Sequence, residues 1–187
     1  MILLFIVIRG HSQNADSCLS GVYVTQDDFV HNRLSHQINT GEKGNKIDFT
    51  FPADLSLAVK ITTPDTTLKF EPGTIYGYNN CGKVSRYFKG GKELNAQEDY
   101  YELEEVGNLV IYSSILISDA EIFYSLDLTS PIHRLTLQNL KSDFKNYPDF
   151  LSEAKKINKK PGEGLGTRDA QGNFQINQIY EETIKNK

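Results

Sequence analysis

From residue 21 to residue 128, apolar and polar positions trade places every one or two residues, in short runs separated by Gly, Pro, Asn and Asp. Such runs predict strands, because successive side chains of a strand point to opposite faces. The alternation is cleanest at 57–62, where Leu57, Val59 and Ile61 share one face, and at 121–128, where Ile122, Tyr124, Leu126 and Leu128 do. Further strands are expected at 22–24, 67–70, 75–78, 83–88, 100–104 and 109–117, the last being the most continuously apolar of them. Turn chemistry separates them at Thr63-Pro64-Asp65, Pro72-Gly73 and Gly90-Gly91. After the first strand, Thr25-Gln26-Asp27-Asp28 has the form of a capping box, with Phe29 and Leu34 placed to anchor a brief helical turn. Seven or eight short strands at this spacing argue for a small antiparallel β-barrel or sandwich.

The period then changes. Leu137, Leu140, Lys141 and Phe144 fall at i, i+3, i+4 and i+7 behind Thr136, a good N-cap residue. Pro148 suits the first position of a second helix carrying Phe150, Leu151, Ala154 and Ile157. Helices are therefore expected over about 136–157. Residues 158–173 hold five glycines or prolines and one large apolar side chain, Leu165, which predicts a mobile loop. Phe174, Ile176, Ile179, Tyr180 and Ile184 would let a last element dock. The class is α+β and mainly β, a barrel or sandwich followed by C-terminal helices, in one domain over residues 19–187.

The N-terminus follows neither period. Residues 2–8 are seven consecutive large apolar residues, followed by Arg9-Gly10-His11-Ser12-Gln13. That run is too short for a membrane-spanning helix, which needs about 20 apolar residues. It fits the apolar core of a secretory signal peptide, typically about 7–15 residues before a small-residue cut. Residues 1–13 are read as that signal, cut near Ser12-Gln13, although no Lys or Arg precedes the core. A buried N-terminal strand is the alternative, since Ile and Val suit strands. Export would place the chain in the periplasm, at the outer membrane or outside the cell, with no transmembrane helix.

Composition narrows the partners. The 187 residues carry a formal charge of −4, so the chain gains no general attraction to phosphate backbones, and nucleic acid is not an expected partner. Cys18 and Cys81 are the two cysteines. Both would survive cleavage, and in an oxidising compartment two thiols commonly pair. Two free thiols are the other reading, and the pair lacks the His spacing of a zinc site.

Signatures of catalysis are missing from the sequence: no phosphate-cradling loop ending in Lys-Ser or Lys-Thr, no Gly-x-Ser-x-Gly elbow, no His-Glu-x-x-His. Gly162-Glu163-Gly164-Leu165-Gly166 has the wrong spacing for a nucleotide loop and reads as flexible chain. His31 and His36, near Asp27 and Asp28, would face different sides of a helix; His133 reads as a connector residue. The acids Glu98, Asp99, Glu102, Glu104 and Glu105 lack the order of a calcium loop. They read as a charged strand edge that discourages aggregation. No catalytic residue, metal or cofactor is expected. Ten tyrosines and no tryptophan are the more suggestive feature. A tyrosine offers an apolar face and a polar tip, useful in recognition, and Tyr76, Tyr78 and Tyr87 are the candidate ligand-binding residues. Ordinary cross-strand packing is the competing use.

Several short motifs carry a resemblance. Gly21-Val22-Tyr23-Val24-Thr25-Gln26-Asp27-Asp28-Phe29 with Leu34-Ser35, then Ile75-Tyr76-Gly77-Tyr78, Arg86-Tyr87-Phe88 and Leu135-Thr136-Leu137-Gln138-Asn139-Leu140-Lys141, resemble a family of uncharacterised exported proteins of Bacteroidota over roughly residues 20–150. The resemblance implies export in a two-membrane bacterium and a single strand-rich domain, and brings no catalytic residue with it. The expected function is a non-enzymatic envelope module binding a protein, peptide or surface ligand through its tyrosines. The alternatives are a small envelope hydrolase using carboxylates or His133, and a lipid or small-ligand carrier with an open interior.

Overall fold

Wherever a short turn joins two alternating segments, they pair antiparallel, and this local rule builds most of the architecture. The computed structural model describes residues 17–50, 57–89, 98–114, 121–159 and 164–185. The expected signal at 1–13 lies outside them, as do the Gly90-Gly91 turn and residues 115–117 of the strand expected at 109–117. A meander of β6 (Gly77–Asn80), β7 (Lys83–Phe88), β8 (Asp99–Val106), β9 (Val110–Ser114), β10 (Ile122–Ser125) and β11 (His133–Arg134) forms one run of a large sheet. The hairpin of β1 (Leu19–Tyr23) and β2 (Ser35–Asn39) extends it, because β1 pairs with β6 in the register Val22↔Tyr78. The order is β11-β10-β9-β8-β7-β6-β1-β2. A second meander, β3 (Lys46–Thr50), β4 (Ala58–Thr62) and β5 (Thr67–Phe70), forms a separate three-stranded sheet inserted in the chain between β2 and β6.

The large sheet ends at β11 on one side and β2 on the other, so among the described residues it is open and forms no closed barrel. One of its faces is covered twice. Val22, Tyr78 and Tyr100 meet Leu57, Val59 and Ile61 of the small sheet in one core. Registers Ser85↔Glu102, Glu102↔Ser113 and Ser113↔Ile122 carry the same face across to β9 and β10. There Leu109, Ile111 and Tyr124 receive the C-terminal helices. These are α2 (Leu137–Asp143), α3 (Pro148–Lys159) and α4 (Gln175–Tyr180), followed by a π-helical turn, Glu181–Lys185. The opposite face carries a third cluster, Tyr101, Val110, Tyr112, Phe123 and Ile132.

Local chemistry starts these elements as the sequence suggests. Thr25 caps the one-turn helix α1 (Gln26–Val30) with a complete capping box, and Thr136 accepts from the Asn139 amide at the start of α2. Phe29 of α1 lies over Gly77, where a methyl group would press on the Ser85 carbonyl and the Phe29 ring. The β6–β7 turn is Cys81-Gly82, with φ of 53° and 89°. Two consecutive positive φ values mark the hairpin turn whose twist matches the strands, and it is unusual to find a cysteine in it. Cys81 is bridged to Cys18 there, with Cα atoms 5.1 Å apart.

The acids of β8 depart from the expectation of a charged edge. β8 lies inside the sheet, paired with β7 and β9. Lys83 approaches Glu102 at 3.4 Å, and Glu104 accepts from Ser113 Oγ at 2.6 Å and from Arg168 at 2.8 Å. Glu105 accepts from the Phe174 amide at 2.8 Å and from the Asn177 side chain at 2.5 Å. Glu104 and Glu105 thus anchor the C-terminal segment to the sheet. Part of the loop expected at 158–173 is among these attachments. Arg168 lies 3.8 Å over the Phe174 ring and donates to Gly172, while Asp169 accepts from the amides of Gln171 and Asn173.

Candidate functional site

The three candidate tyrosines are distributed over two recesses. Tyr87 and Tyr100 stand opposite each other in the β7–β8 register, their rings 5.2 Å apart, and Tyr100 continues to Tyr78 at 5.2 Å and Phe49 beyond it at 4.9 Å. Tyr78 is buried and lines an apolar slot of about 210 Å³ between the sheets, with Phe49, Leu57 and Ser85. Burial pushes its hydroxyl up to about 12. Tyr76 and Tyr87 come together elsewhere, on a recess of about 360 Å³ shared with Thr74, Arg86, Phe88 and Lys89. The outer wall is the turn at Pro72-Gly73, closed by the Thr74 amide donating to Glu71 at 3.1 Å. Gly73 has φ of 76° and packs so close to Tyr87 that a methyl group would lie 3.1 Å from its hydroxyl.

Arg86 forms the floor. It is 3% exposed and opposes Tyr101 on the face of the third cluster. Nη1 donates to Tyr112 Oη at 3.2 Å, and Nη2 donates to the carbonyls of Thr129 and Ser130 at 3.1 and 2.8 Å. The guanidinium carbon sits 5.3 Å from the centre of the Tyr76 ring, whose hydroxyl donates to the Leu128 carbonyl at 3.1 Å. Ser125 Oγ donates to the Asp127 carbonyl at 2.5 Å, so Tyr112 donates to Ser125 at 3.0 Å and keeps a lone pair for Arg86. Asp127 stiffens the 127–130 loop that supplies these carbonyls. It accepts from the amides and hydroxyls of Thr129 and Ser130, and those bonds hold its carboxyl well below the usual range. Arg86 Nε is buried without a partner, and the ion pairs of the described residues do not include Arg86. Among the described residues, every partner of this cation is neutral.

Tyr87 donates to Glu98 at the recess margin, and burial followed by that bond pushes its hydroxyl well up. Burial does the same, less strongly, to Tyr76. Both phenols therefore act as neutral groups throughout the physiological range.

A larger groove, about 500 Å³, lies where the helical layer meets the sheet and is lined by Glu104, Ser113, Glu121, Thr167, Arg168 and Phe174. Its charges are matched: Glu104 with Arg168, Glu121 with Arg134. Gly166 belongs to its wall, and a methyl group there would lie 2.8 Å from Ile122. A third polar group joins β10, β11 and α2. Asp143 accepts from Tyr124 Oη at 2.6 Å and approaches His133 Nδ1 at 3.0 Å. Neither His133 nor Asp143 lines the recesses above. His31 bonds the backbone and carboxylate of Asp27, while His36 packs on Phe70, ring centres 5.4 Å apart. Among the described residues no three His, Cys, Asp or Glu side chains converge as metal ligands would.

Arg86 is the residue sequence reading passes over, although a signal exists. Strand parity puts it on the side of Val84 and Phe88, an apolar face where a guanidinium needs a reason. Asp99 carries no such signal. It is 5% exposed, accepts from the Tyr100 amide at 2.7 Å, and burial pushes its carboxyl up to about 6. Comparison of the chain with models of protein families, with curated proteins and with solved structures finds no match.

Proposed function

We propose that this protein is an exported, non-enzymatic binding module of a bacterial envelope, of the kind its sequence motifs resemble, and that its ligand sits in the recess between Tyr76 and Tyr87. The observation that carries the site is the convergence of two half-buried tyrosines and a buried cation on one cavity of about 360 Å³. That volume lies at the lower end of small-molecule sites, about 300–1,000 Å³. Export is supported by the apolar run at 2–8 and by the Cys18–Cys81 bridge, since such bridges persist in oxidising compartments. The accompanying fold reading is a sandwich, supported by the one core shared between the two sheets. Tyr78 leaves this site and belongs to that core.

A hydrolase reading has two supports, the His133–Asp143 pair and the raised Asp99 carboxyl, but they lie apart from the recess lining. A carrier reading has the Tyr78 slot, whose 210 Å³ is small for a lipid. Ligand-observed NMR with a fragment collection tests the binding site. Fragments that bind the wild type and not Tyr87→Ala support it; fragments that bind both equally overturn it. Mass spectrometry of protein recovered from the periplasm or medium tests export, and intact residues 1–13 on folded protein there would refute cleavage.

A further inference from the structure

We propose that the Tyr76–Tyr87 recess selects a small organic carboxylate with a flat apolar body. This rests on the binding-module reading and adds the chemistry of its ligand.

Two independent observations point to an anion. The first is the environment of Arg86. A guanidinium that is 3% exposed is costly to remove from water, and proteins usually offset that cost with a carboxylate close by. Here the compensation comes from two carbonyls, one phenol and one ring face, and Nε has no acceptor among the described residues. Among the described residues the guanidinium is solvated by dipoles and a ring and bonds no carboxylate directly. The second is the recess itself, which opens on Arg86 and carries Lys89, exposed, on its rim. A fixed cation at the floor and a movable one at the mouth meet an entering anion where the surroundings screen poorly, while the nearby carboxylates of Glu98 and Asp127 are already bonded to lining donors. Gln26, also on the lining, adds an amide donor.

The walls describe the rest of the ligand. Ile75, Tyr76, Tyr87 and Phe88 present apolar and aromatic surface, so the body of the ligand is apolar and flat. Two acids are bonded to the lining: Glu98 accepts from the Tyr87 hydroxyl at the margin, and Asp127 accepts from the Thr129 amide and hydroxyl, both at 2.7 Å. Both disfavour a highly charged anion, so the ligand is a monoanion. The helix-side groove offers the contrast: its cation, Arg168, already has Glu104 at 2.8 Å, and an incoming carboxylate would have to displace it.

The test uses the full chain, uniformly labelled with nitrogen-15, titrated with benzoate and separately with benzamide, its uncharged counterpart of the same shape. Benzoate should shift the Arg86 Nε–H signal and the amides of Thr74, Ile75 and Lys89 in a saturable way, at concentrations about tenfold below those needed for benzamide. Lys89→Glu, at an exposed position that should not disturb folding, should weaken benzoate about fivefold and leave benzamide unchanged. Added salt should weaken benzoate alone. Equal affinity for the two probes would overturn the anion preference while leaving the recess as a binding site. Silence of both probes at these signals would also overturn it, and the Tyr87→Ala fragment comparison would then decide separately whether the recess binds anything.

Discussion

In the end of the molecule covered by helices, buried Asn177 donates from Nδ2 to Glu105 and the Leu109 carbonyl at 2.5 and 3.0 Å, and its Oδ1 accepts from the Leu109 amide at 2.7 Å. Tyr124, His133 and Asp143 close a second group there. In the end built from β1 to β8, by contrast, Thr62 Oγ1, Tyr100 Oη and Arg86 Nε are all buried with no partner among the described residues. Native proteins leave few such groups, and each asks for an explanation. The helical end uses polar atoms as fasteners beside the apolar contacts of Phe174 and Ile176. The other end is fastened by aromatic packing, a disulfide and the bonded nitrogens of Arg86, and leaves these three atoms unmatched among the described residues. Loss of a bonded polar group should therefore harm the fold at either end, and loss of an unmatched one should not.

The largest effect should come from Arg86, whose two bonded nitrogens hold the 127–130 loop. Arg86→Met removes the donors to the Thr129 and Ser130 carbonyls and to the Tyr112 hydroxyl, and should lower stability by about 3 kcal/mol in urea titration. Arg86→Lys should not restore it, since one ammonium cannot span the separated acceptors that the planar fork reaches. On the helical side, Asn177→Ala orphans both the amide and the carbonyl of Leu109. It should cost about 2–3 kcal/mol, with the loss seen first as faster amide exchange in α4.

Asp99→Asn should act in the opposite sense. The folded carboxyl is pushed up to about 6 from an ordinary value of 3.8, so between these values the folded chain holds a proton that the unfolded chain has lost. Its contribution to stability is therefore best below about pH 4, falls as pH rises to about 6, and stays unfavourable above. The asparagine keeps the acceptor for the Tyr100 amide and should gain about 2 kcal/mol at pH 7–8 and nothing near pH 3.5, as read from urea midpoints across pH. The smallest change is Tyr100→Phe, which deletes a hydroxyl without an acceptor and should be neutral or stabilising by up to about 1 kcal/mol in thermal melts. A loss of more than that would mean the hydroxyl is hydrogen-bonded and the two ends differ less in how they pair their buried polar atoms.

What was legible in the sequence divides along the same line. The meander from β6 to β10, the β4–β5 hairpin, the Thr25 box and the start of α2 follow from local periodicity and capping, because each is stabilised by neighbours in the chain. β2 and β3 escape such reading. Ser35–Asn39 buries one large residue, Ile38, and Lys46–Thr50 places Ile47 and Phe49 on a half-buried face between polar neighbours. Both strands exist because of partners that supply the apolar surface they lack. The site is half legible for a similar reason. Tyrosine enrichment marks Tyr76 and Tyr87, yet nothing local says that Tyr78 turns inward, or that Arg86 will be closed over by a loop about forty residues further along the chain.

The Cys18–Cys81 bridge has a consequence for how the chain is assembled in time. β1 lies between β2, which comes after it almost at once, and β6, which it can meet only after the whole three-stranded meander has been synthesised. The cysteines, 63 positions apart, enclose that meander in a covalent ring. The small sheet can form early from local pairings, but the β1–β6 seam is a late, long-range closure of the kind that slows folding. Once oxidised, the ring keeps the two strands together through each transient opening, so the seam re-forms as a local event. Reduction should leave the finished fold recognisable while making its refolding markedly slower.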